Sequence, residues 1–148
     1  MPIRTSLTER LDITHPVLLA PMAGVSGGRL AAAVSGAGGL GIVGGGYGDR
    51  DWLTAQLAAA GNAHVGVGFI TWSLMKQPDL LDLALDHAPR AIMLSFGDVR
   101  PFAYKVKAAG VPLICQVQSV AQAREVIAEG ADVVVAQGTE AGGHGARR

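Results

Sequence analysis

Residues 112–137 have the sequence PLICQVQSVAQAREVIAEGADVVVAQ, in which two short apolar runs flank a stretch with helical periodicity. The runs at 112–117 and 132–136 are apolar without alternation, which is typical of strands covered on both faces. Residues 119–129 repeat apolar side chains at helical spacing, and Gly130 follows as a helix-ending residue. This stretch therefore predicts a strand–helix–strand unit with both strands parallel in one sheet.

The same alternation occupies the rest of the chain. Four more apolar runs predict strands at residues 16–20, 40–43, 64–69 and 91–94. Four more helices are predicted at residues 28–35, 51–60, 78–87 and 101–109, the first with Ser26 as its N-cap. About six strands and five helices in alternation predict an α/β fold with a parallel sheet. Both an open doubly wound sheet and three quarters of an eight-stranded barrel fit this pattern.

Composition limits the class of protein. A chain of 148 residues with 49% apolar residues predicts one domain with a sizeable core and excludes a disordered chain. Twelve basic and twelve acidic residues leave no net charge to attract nucleic acid or an anionic membrane, so neither is an expected partner. The single Cys115 lies in an apolar run, which favours a buried packing role. With no signal-peptide pattern, we expect a cytoplasmic protein.

A Gly-x-Gly-x-x-Gly string at residues 36–41 and a second at 39–44 invite a dinucleotide-binding interpretation. In that motif the glycines follow a strand and open a helix, so that phosphate meets the helix N-terminus. Here the first string follows a predicted helix and the second spans a predicted strand, so the interpretation fails. The sequence also contains no P-loop, no paired cysteines and no zinc-binding histidine motif, so we expect no metal site.

The most informative segment is AQGTEAGGHG, residues 136–145, at the end of the sixth predicted strand. Gln137 presents an amide at the strand tip, and Gly142 and Gly143 allow close approach of the backbone to a ligand. His144 adds an imidazole that can gain or lose a proton near neutral pH. A sheet-capping Gln137 and a solvated His144 are the structural alternatives. The spacing favours a ligand site built on a strand end.

Three motifs together resemble the nitronate monooxygenase family, the 2-nitropropane dioxygenase-like FMN enzymes. They are the PMAG turn at residues 21–24, the glycines at 39–41 and 44–46, and QGTEAGGH at residues 137–144. The resemblance extends from about residue 17 to the end of the chain. It implies a (β/α)8 TIM barrel with FMN at the carboxyl ends of its strands. It also implies oxidation of alkyl nitronates, and in some members nitroalkanes, by O2 to a carbonyl compound and nitrite.

The resemblance also implies roles for individual residues. Pro21, Met22 and Ala23 would pack against or hydrogen-bond to the isoalloxazine of FMN. Gln137, with the backbone of Gly142 and Gly143, would hold the flavin ring and its ribityl-phosphate side. His144 would act as general base or orient the substrate.

Two further positions enter the expected cofactor site. Many family members have asparagine on the third strand where this chain has Gly68, so that contact would be reduced to backbone. Gln116 at the end of the fifth predicted strand either faces the flavin or serves as a structural amide.

Only six of the eight barrel strands find a counterpart in residues 1–148, which predicts a single FMN-binding barrel domain that stops after its sixth strand. A parallel barrel with two strands missing has open edges. We therefore expect either a piece of a longer chain or a second copy that supplies the missing edge, and hence a homo-oligomer.

Two other functions remain open on the sequence alone. Flavin enoyl reductases and quinone reductases that use NAD(P)H have a similar scaffold. A non-catalytic, half-barrel interaction module is the alternative from another class. Nitrite release without NADH, NADH oxidation, and a colourless protein would distinguish the three.

Overall fold

The structure is a computed structural model that describes residues 3–145. Within these residues it has seven helices and five strands in the order α1, α2, β1, α3, β2, α4, α5, β3, α6, β4, α7, β5. The strands are β1 (Ile42–Gly44), β2 (Gly66–Ile70), β3 (Ile92–Ser95), β4 (Leu113–Val117) and β5 (Val133–Ala136). The helices are α1 (Ser6–Leu11), α2 (Gly28–Gly36), α3 (Arg50–Ala60), α4 (Thr71–Leu74), α5 (Asp79–Asp86), α6 (Arg100–Ala108) and α7 (Val120–Ala128).

All five strands are parallel, and they lie in the sheet in the same order as in the sequence. The first predicted strand joins the same edge through an isolated parallel bridge between Leu18 and Leu40, rather than as a strand of its own. A doubly wound sheet reverses its strand order at a switch point, whereas a barrel does not. The fold is therefore a (β/α)8 TIM-type barrel, present in part.

Two apolar clusters lie on opposite faces of the sheet. The outer cluster packs strand residues such as Val67, Leu94 and Cys115 against the helices. The inner cluster contains Ile42, Met93 and Ile114 from alternate positions of the strands. Because side chains alternate along a strand, this division fixes which residues face the barrel interior.

The five predicted helices are confirmed as α2, α3, α5, α6 and α7. The sequence missed α1, which a Thr5–Thr8 capping box begins and whose Leu11 joins the inner cluster. It also missed α4, a four-residue helix directly after β2. The glycine strings connect the end of α2 to β1, which confirms that they do not form a dinucleotide-binding loop.

Asp132, just before β5, joins three other parts of the fold. Its carboxylate accepts hydrogen bonds from the Leu113 backbone N–H at 2.9 Å, from Lys107 at 3.1 Å and from Arg10 of α1 at 3.2 Å. Partial burial raises the pKa of Asp132, but the Leu113 and Lys107 hydrogen bonds outweigh that effect and hold this pKa below its usual value. The ionised carboxylate therefore ties α1 and α6 to the edge of the sheet.

Ser26 holds the turn that follows the first apolar run. The prediction that it caps α2 is wrong, because Gly27 occupies the N-cap position. Its fully buried hydroxyl instead donates to the Ala20 carbonyl at 2.6 Å and accepts from the Met22 N–H at 3.2 Å. Its own carbonyl accepts from the Gly44 N–H of β1 at 2.8 Å. This residue therefore fixes the PMAG turn against the tip of β1.

None of the helices in residues 3–145 has both the length and the apolar character needed to cross a bilayer.

Replacing Ser26 with alanine should destabilise the protein, because it removes a fully buried hydroxyl and both of its hydrogen bonds, to the Met22 N–H and the Ala20 carbonyl. We expect a loss of about 1–3 kcal/mol in the free energy of unfolding, measured by urea denaturation. Ser6→Ala, at an exposed position of α1, should change it by less than about 0.5 kcal/mol. Equal midpoints for the two variants would contradict this role of Ser26.

The Cys115 thiol should be unreactive in the folded protein. Burial, with a smaller contribution from the charge of Asp132, raises the pKa of Cys115 to about 12. At pH 8 only on the order of one thiol in ten thousand would then be ionised, and the thiolate is the reactive form. We expect no labelling by a disulfide reagent within minutes in buffer, and one equivalent in guanidinium chloride. Rapid labelling of the native chain would contradict this expectation.

Candidate active site

The candidate site lies where the strands end, on the inner face of the sheet. On β4, Ile114 belongs to the inner cluster and Cys115 to the outer one, so Gln116 points inward. On β5, Val135 packs against the inner cluster, and Gln137 follows two residues later on the same side. Both glutamines are half-buried. The parallel register therefore places two inward carboxamides side by side.

Three glutamines form a hydrogen-bond network at this edge. Gln137 Oε1 accepts from Gln116 Nε2 at 3.1 Å and from Gln118 Nε2 at 2.9 Å. Gln137 Nε2 then donates to the backbone carbonyl of His144 at 2.8 Å. The carboxamide of Gln137 thus joins the tips of β4 and β5 to the glycine-rich loop.

Gln118 is not among the site residues predicted from the sequence. A signal was available, because Gln116 and Gln118 are two residues apart and therefore share one face of an extended segment. The register that brings both to Gln137 depends on the pairing of β4 with β5, which is a tertiary feature.

His144 lies on the exposed loop after β5, and its imidazole contacts the ring of Phe96 edge-on. The ring centroids are 4.8 Å apart and the planes meet at 69°. Phe96 follows β3 with φ +59°, a left-handed conformation that costs a non-glycine residue about 1–3 kcal/mol. The tip of β3 therefore presents an aromatic ring to the imidazole at the expense of backbone strain.

The predicted PMAG residues reach the same loop from the other side. A Cβ built on Gly143, where φ is +82°, would lie 3.4 Å from Met22 Sδ. Met22 is 39% exposed, so its thioether is available at the mouth of the barrel. Ala23, half-buried, continues the same turn. The first and last motifs of the sequence thus meet at Met22 and Gly143.

Gly68 lies beneath this turn. A Cβ at Gly68 would lie 2.3 Å from Pro21 Cβ, so the ring of Pro21 fills the space that a side chain would need. The Gly68 carbonyl accepts from the Gly45 N–H at 2.7 Å. Gly68 is therefore placed to support Pro21 and the tip of β1. Gly142, by contrast, is exposed, and its Cβ direction has no atom within 4 Å.

A cavity of about 560 Å³ opens beside the glutamine network, and Phe96, Gln116 and Gln118 belong to its lining. Arg100 also lines it and pairs with Asp98, with 2.7 Å between Nη2 and Oδ2. The hydrogen bonds from Arg100 hold the pKa of the Asp98 carboxyl below its usual value. The cavity therefore brings neutral amides, this ion pair and the carboxylates of Glu125 and Glu129 to this side of the site.

The site can bind a flat polar group and handle a proton. Carboxamides offer both donors and acceptors in one plane, and an imidazole can accept or donate a proton. Among residues 3–145 no group of three or more His, Cys, Asp or Glu side chains is arranged to hold a metal ion.

Two relatives and one solved structure resemble the chain over most of its length. A dehydrogenase from Rhodococcus jostii, named for (3aS,4S,5R,7aS)-5-hydroxy-7a-methyl-1-oxo-octahydro-1H-indene-4-carboxyl-CoA, is 32% identical over 96% of this chain and 41% of its own length. A nitronate monooxygenase from Neurospora crassa is 33% identical over 88% of this chain and 44% of its own length. The structure of FabK from Thermotoga maritima superposes with a TM-score of 0.88 at 34% identity, over 98% of this chain and 47% of that chain.

The two alignments differ in length. The Rhodococcus alignment has 145 positions and uses 96% of 148 residues, about 142, so about 3 positions have no counterpart in this chain. The Neurospora alignment has 167 positions and uses 88%, about 130 residues, which leaves about 37. The chain spans less than half the length of each of these relatives.

The sequence model of nitronate monooxygenase matches the chain in two segments, residues 4–82 and 75–148. Together the segments contain every motif that meets at the candidate site. The chain belongs to the nitronate monooxygenase family.

Proposed function

We propose that the protein is an FMN-dependent oxidoreductase that oxidises alkyl nitronates with O2 to a carbonyl compound and nitrite. Family membership supports flavin-dependent oxidoreductase chemistry. The observation that carries the proposal is the hydrogen bond from Gln137 to the His144 carbonyl, because it couples the strand-tip amides to the loop that bears the imidazole. In the overall reaction two nitronates and one O2 give two carbonyl compounds and two nitrites, so that atoms and charge balance.

The residues present suit the ring of FMN. The half-buried carboxamides of Gln116 and Gln137 would hydrogen-bond to its polar edge. Gly142 offers an open backbone, and Met22, with Pro21 and Ala23, offers an apolar surface for the ring. Gly68 would contribute indirectly, because its lack of a side chain leaves room for Pro21. When bound, FMN supplies the oxidation of the substrate.

His144 would orient a nitronate or remove the α-proton of a nitroalkane. A nitronate has already lost that proton, so only nitroalkane oxidation needs a base. The contact with Phe96 and the hydrogen bond at its backbone carbonyl hold the residue at the mouth of the site. A cytoplasmic location and self-association of the chain stay predictions.

The alignment lengths favour a second candidate, a flavin-dependent dehydrogenase of a coenzyme A thioester. The relative that aligns with almost no gaps is named as a dehydrogenase of a bicyclic carboxyl-CoA compound. The nitronate monooxygenase of similar identity has about 37 alignment positions that have no counterpart in this chain. A thioester also acidifies the C–H bond on the adjacent carbon, so His144 would remove an α-proton there, as it would from a nitroalkane.

Replacing Gln137 with leucine should weaken FMN binding about tenfold, because it removes hydrogen bonds to the ring and releases the His144 loop. Quenching of FMN fluorescence by the full chain gives the dissociation constant, and far-UV circular dichroism verifies folding. Asn62→Leu, an exposed amide in the turn before β2, is the control and should bind FMN like the wild type. A folded wild-type chain that never binds FMN would refute the flavin proposal.

A nitroalkane and its nitronate distinguish the two roles proposed for His144, general base and substrate-orienting residue. His144→Ala should lower nitroalkane turnover by about 100-fold or more, the usual contribution of a general base. Turnover of the corresponding nitronate should fall much less, since no proton is removed. Nitrite release without NADH is the measurement, and His64→Ala, an exposed histidine before β2, is the control. Oxidation of an acyl-CoA with no nitrite from either nitro compound would favour the second candidate.

A further inference from the structure

An exposed aromatic surface borders the candidate site at the carboxyl ends of β1 and β2. It consists of Tyr47, Trp72, Met75 and Lys76, and we refer to it as the aromatic rim. Tyr47, Trp72 and Met75 are 61%, 41% and 53% exposed. The rings of Tyr47 and Trp72 lie 6.0 Å apart, and Lys76 Nζ lies 5.2 Å from the centroid of Trp72. Three large apolar side chains and an ammonium group are thus gathered on one surface.

The aromatic rim is continuous with the site. Trp72 donates its backbone N–H to the carbonyl of Phe96 at 3.2 Å, and the ring of Phe96 contacts His144. Tyr47 lies in the segment that follows β1, so it stands on the same end of the barrel as Trp72. A substrate whose reactive carbon lies near His144 could therefore extend across Phe96 onto the rim.

The match to the family is divided at the connection between α4 and α5, beside the aromatic rim. The two segments matched to the family overlap at residues 75–82, which begin directly after α4. We infer that the additional positions of the Neurospora relative enter here. In this chain the connection is a tight turn, in which Lys76 and Gln77 donate to the Ser73 and Leu74 carbonyls at 3.0 Å. The aromatic rim is therefore left uncovered where that relative has additional chain.

The charge on the aromatic rim is available to a ligand. Neighbouring carboxylates have other partners, since Asp79 pairs with Arg50 and Asp82 pairs with Lys105. Among the ion pairs of residues 3–145, none includes Lys76. Aromatic side chains stack on nucleobases, and an ammonium group binds phosphate.

We propose that the aromatic rim binds the nucleotide end of a coenzyme A thioester, with the adenine against Trp72 and Tyr47 and a phosphate on Lys76. The inference rests on the second candidate function and names the residues that would select its substrate. The pantetheine arm would cross Phe96 and bring the thioester to His144. A small nitronate has no group that could reach the rim, so the rim distinguishes the two substrate classes.

The two tryptophans of the chain make this proposal testable with coenzyme A alone as the probe. Trp52→Phe leaves Trp72 as the only tryptophan, and its fluorescence should change saturably on titration with coenzyme A. Trp72→Phe leaves only Trp52, a half-buried indole that donates to the Gly44 carbonyl, and its fluorescence should change much less. Equal responses in the two variants would refute the placement of the nucleotide.

Binding measured by calorimetry extends the test. Trp72→Ala should weaken coenzyme A binding about tenfold through loss of stacking, and Lys76→Gln about two- to fivefold. The matched controls are Tyr104→Ala, 83% exposed on α6, and Arg124→Gln, exposed on α7, and both should bind like the wild type. NADH shares the adenosine phosphate of coenzyme A, so tighter binding of NADH would overturn the assignment. If coenzyme A fails to bind while FMN still binds, the rim proposal fails and the flavin proposal stands.

Discussion

The carboxamide of Gln137 connects the sheet to the loop that bears the candidate catalytic imidazole. It accepts from two glutamines of the β4 segment and donates to the backbone of His144. The two contacts with Gln116 and Gln118 depend on the parallel pairing of β4 and β5, with Gln116 opposite Val135. A shift of the register by one residue would turn Gln116 to the outer face and separate the network. The geometry of the site therefore depends on the pairing of two short strands.

The PMAG turn on the other side of the site depends on the lack of a side chain at Gly68. Gly68 leaves room for the ring of Pro21, and buried Ser26 fixes the turn that Pro21 and Met22 begin. Met22 then reaches Gly143 of the last motif. A larger residue at position 68 would displace the turn and with it the thioether at the mouth of the barrel. Segments far apart in the sequence thus pack together because Gly68 leaves space for Pro21.

Much of the fold could be predicted because it is encoded locally. Continuous apolar runs and helix-ending glycines determine β4, α7 and β5, and these elements agree closely with the sequence-based boundaries. The sequence placed Gln116 and Gln137 at strand ends but left open which way Gln116 faces, and the division of strand residues between the two clusters turns both inward. Ser26 was misassigned because a serine before a helix usually caps it, whereas here the Ala20 carbonyl, six residues earlier, accepts a hydrogen bond from its hydroxyl. That hydrogen bond is visible only once the chain is folded.

The features that sequence reasoning missed are tertiary. Gln118 joins the network only through the partner strand, and the left-handed φ of Phe96 has no signature in the residue type. The aromatic rim combines Tyr47 and Trp72 from two different connections, 25 residues apart in the sequence. No pattern of spacing within one element could have indicated that these two rings are neighbours.

Asp132 forms a pH-sensitive link between α1, α6 and the sheet at the amino-terminal ends of the strands, opposite the site. Its pKa is held below the ordinary value, so its stabilising effect is present above the ordinary aspartate pKa and disappears as pH falls through the lowered value. Protonation would weaken the contacts of Asp132 with Arg10 and Lys107 in one event, and so loosen the attachment of α1 and α6 to the edge beside β5. Buried apolar residues such as Leu11 and Phe102 still hold both helices. Acidification should therefore weaken this end of the barrel before it affects the amide network at its mouth, which carries no ionisable group.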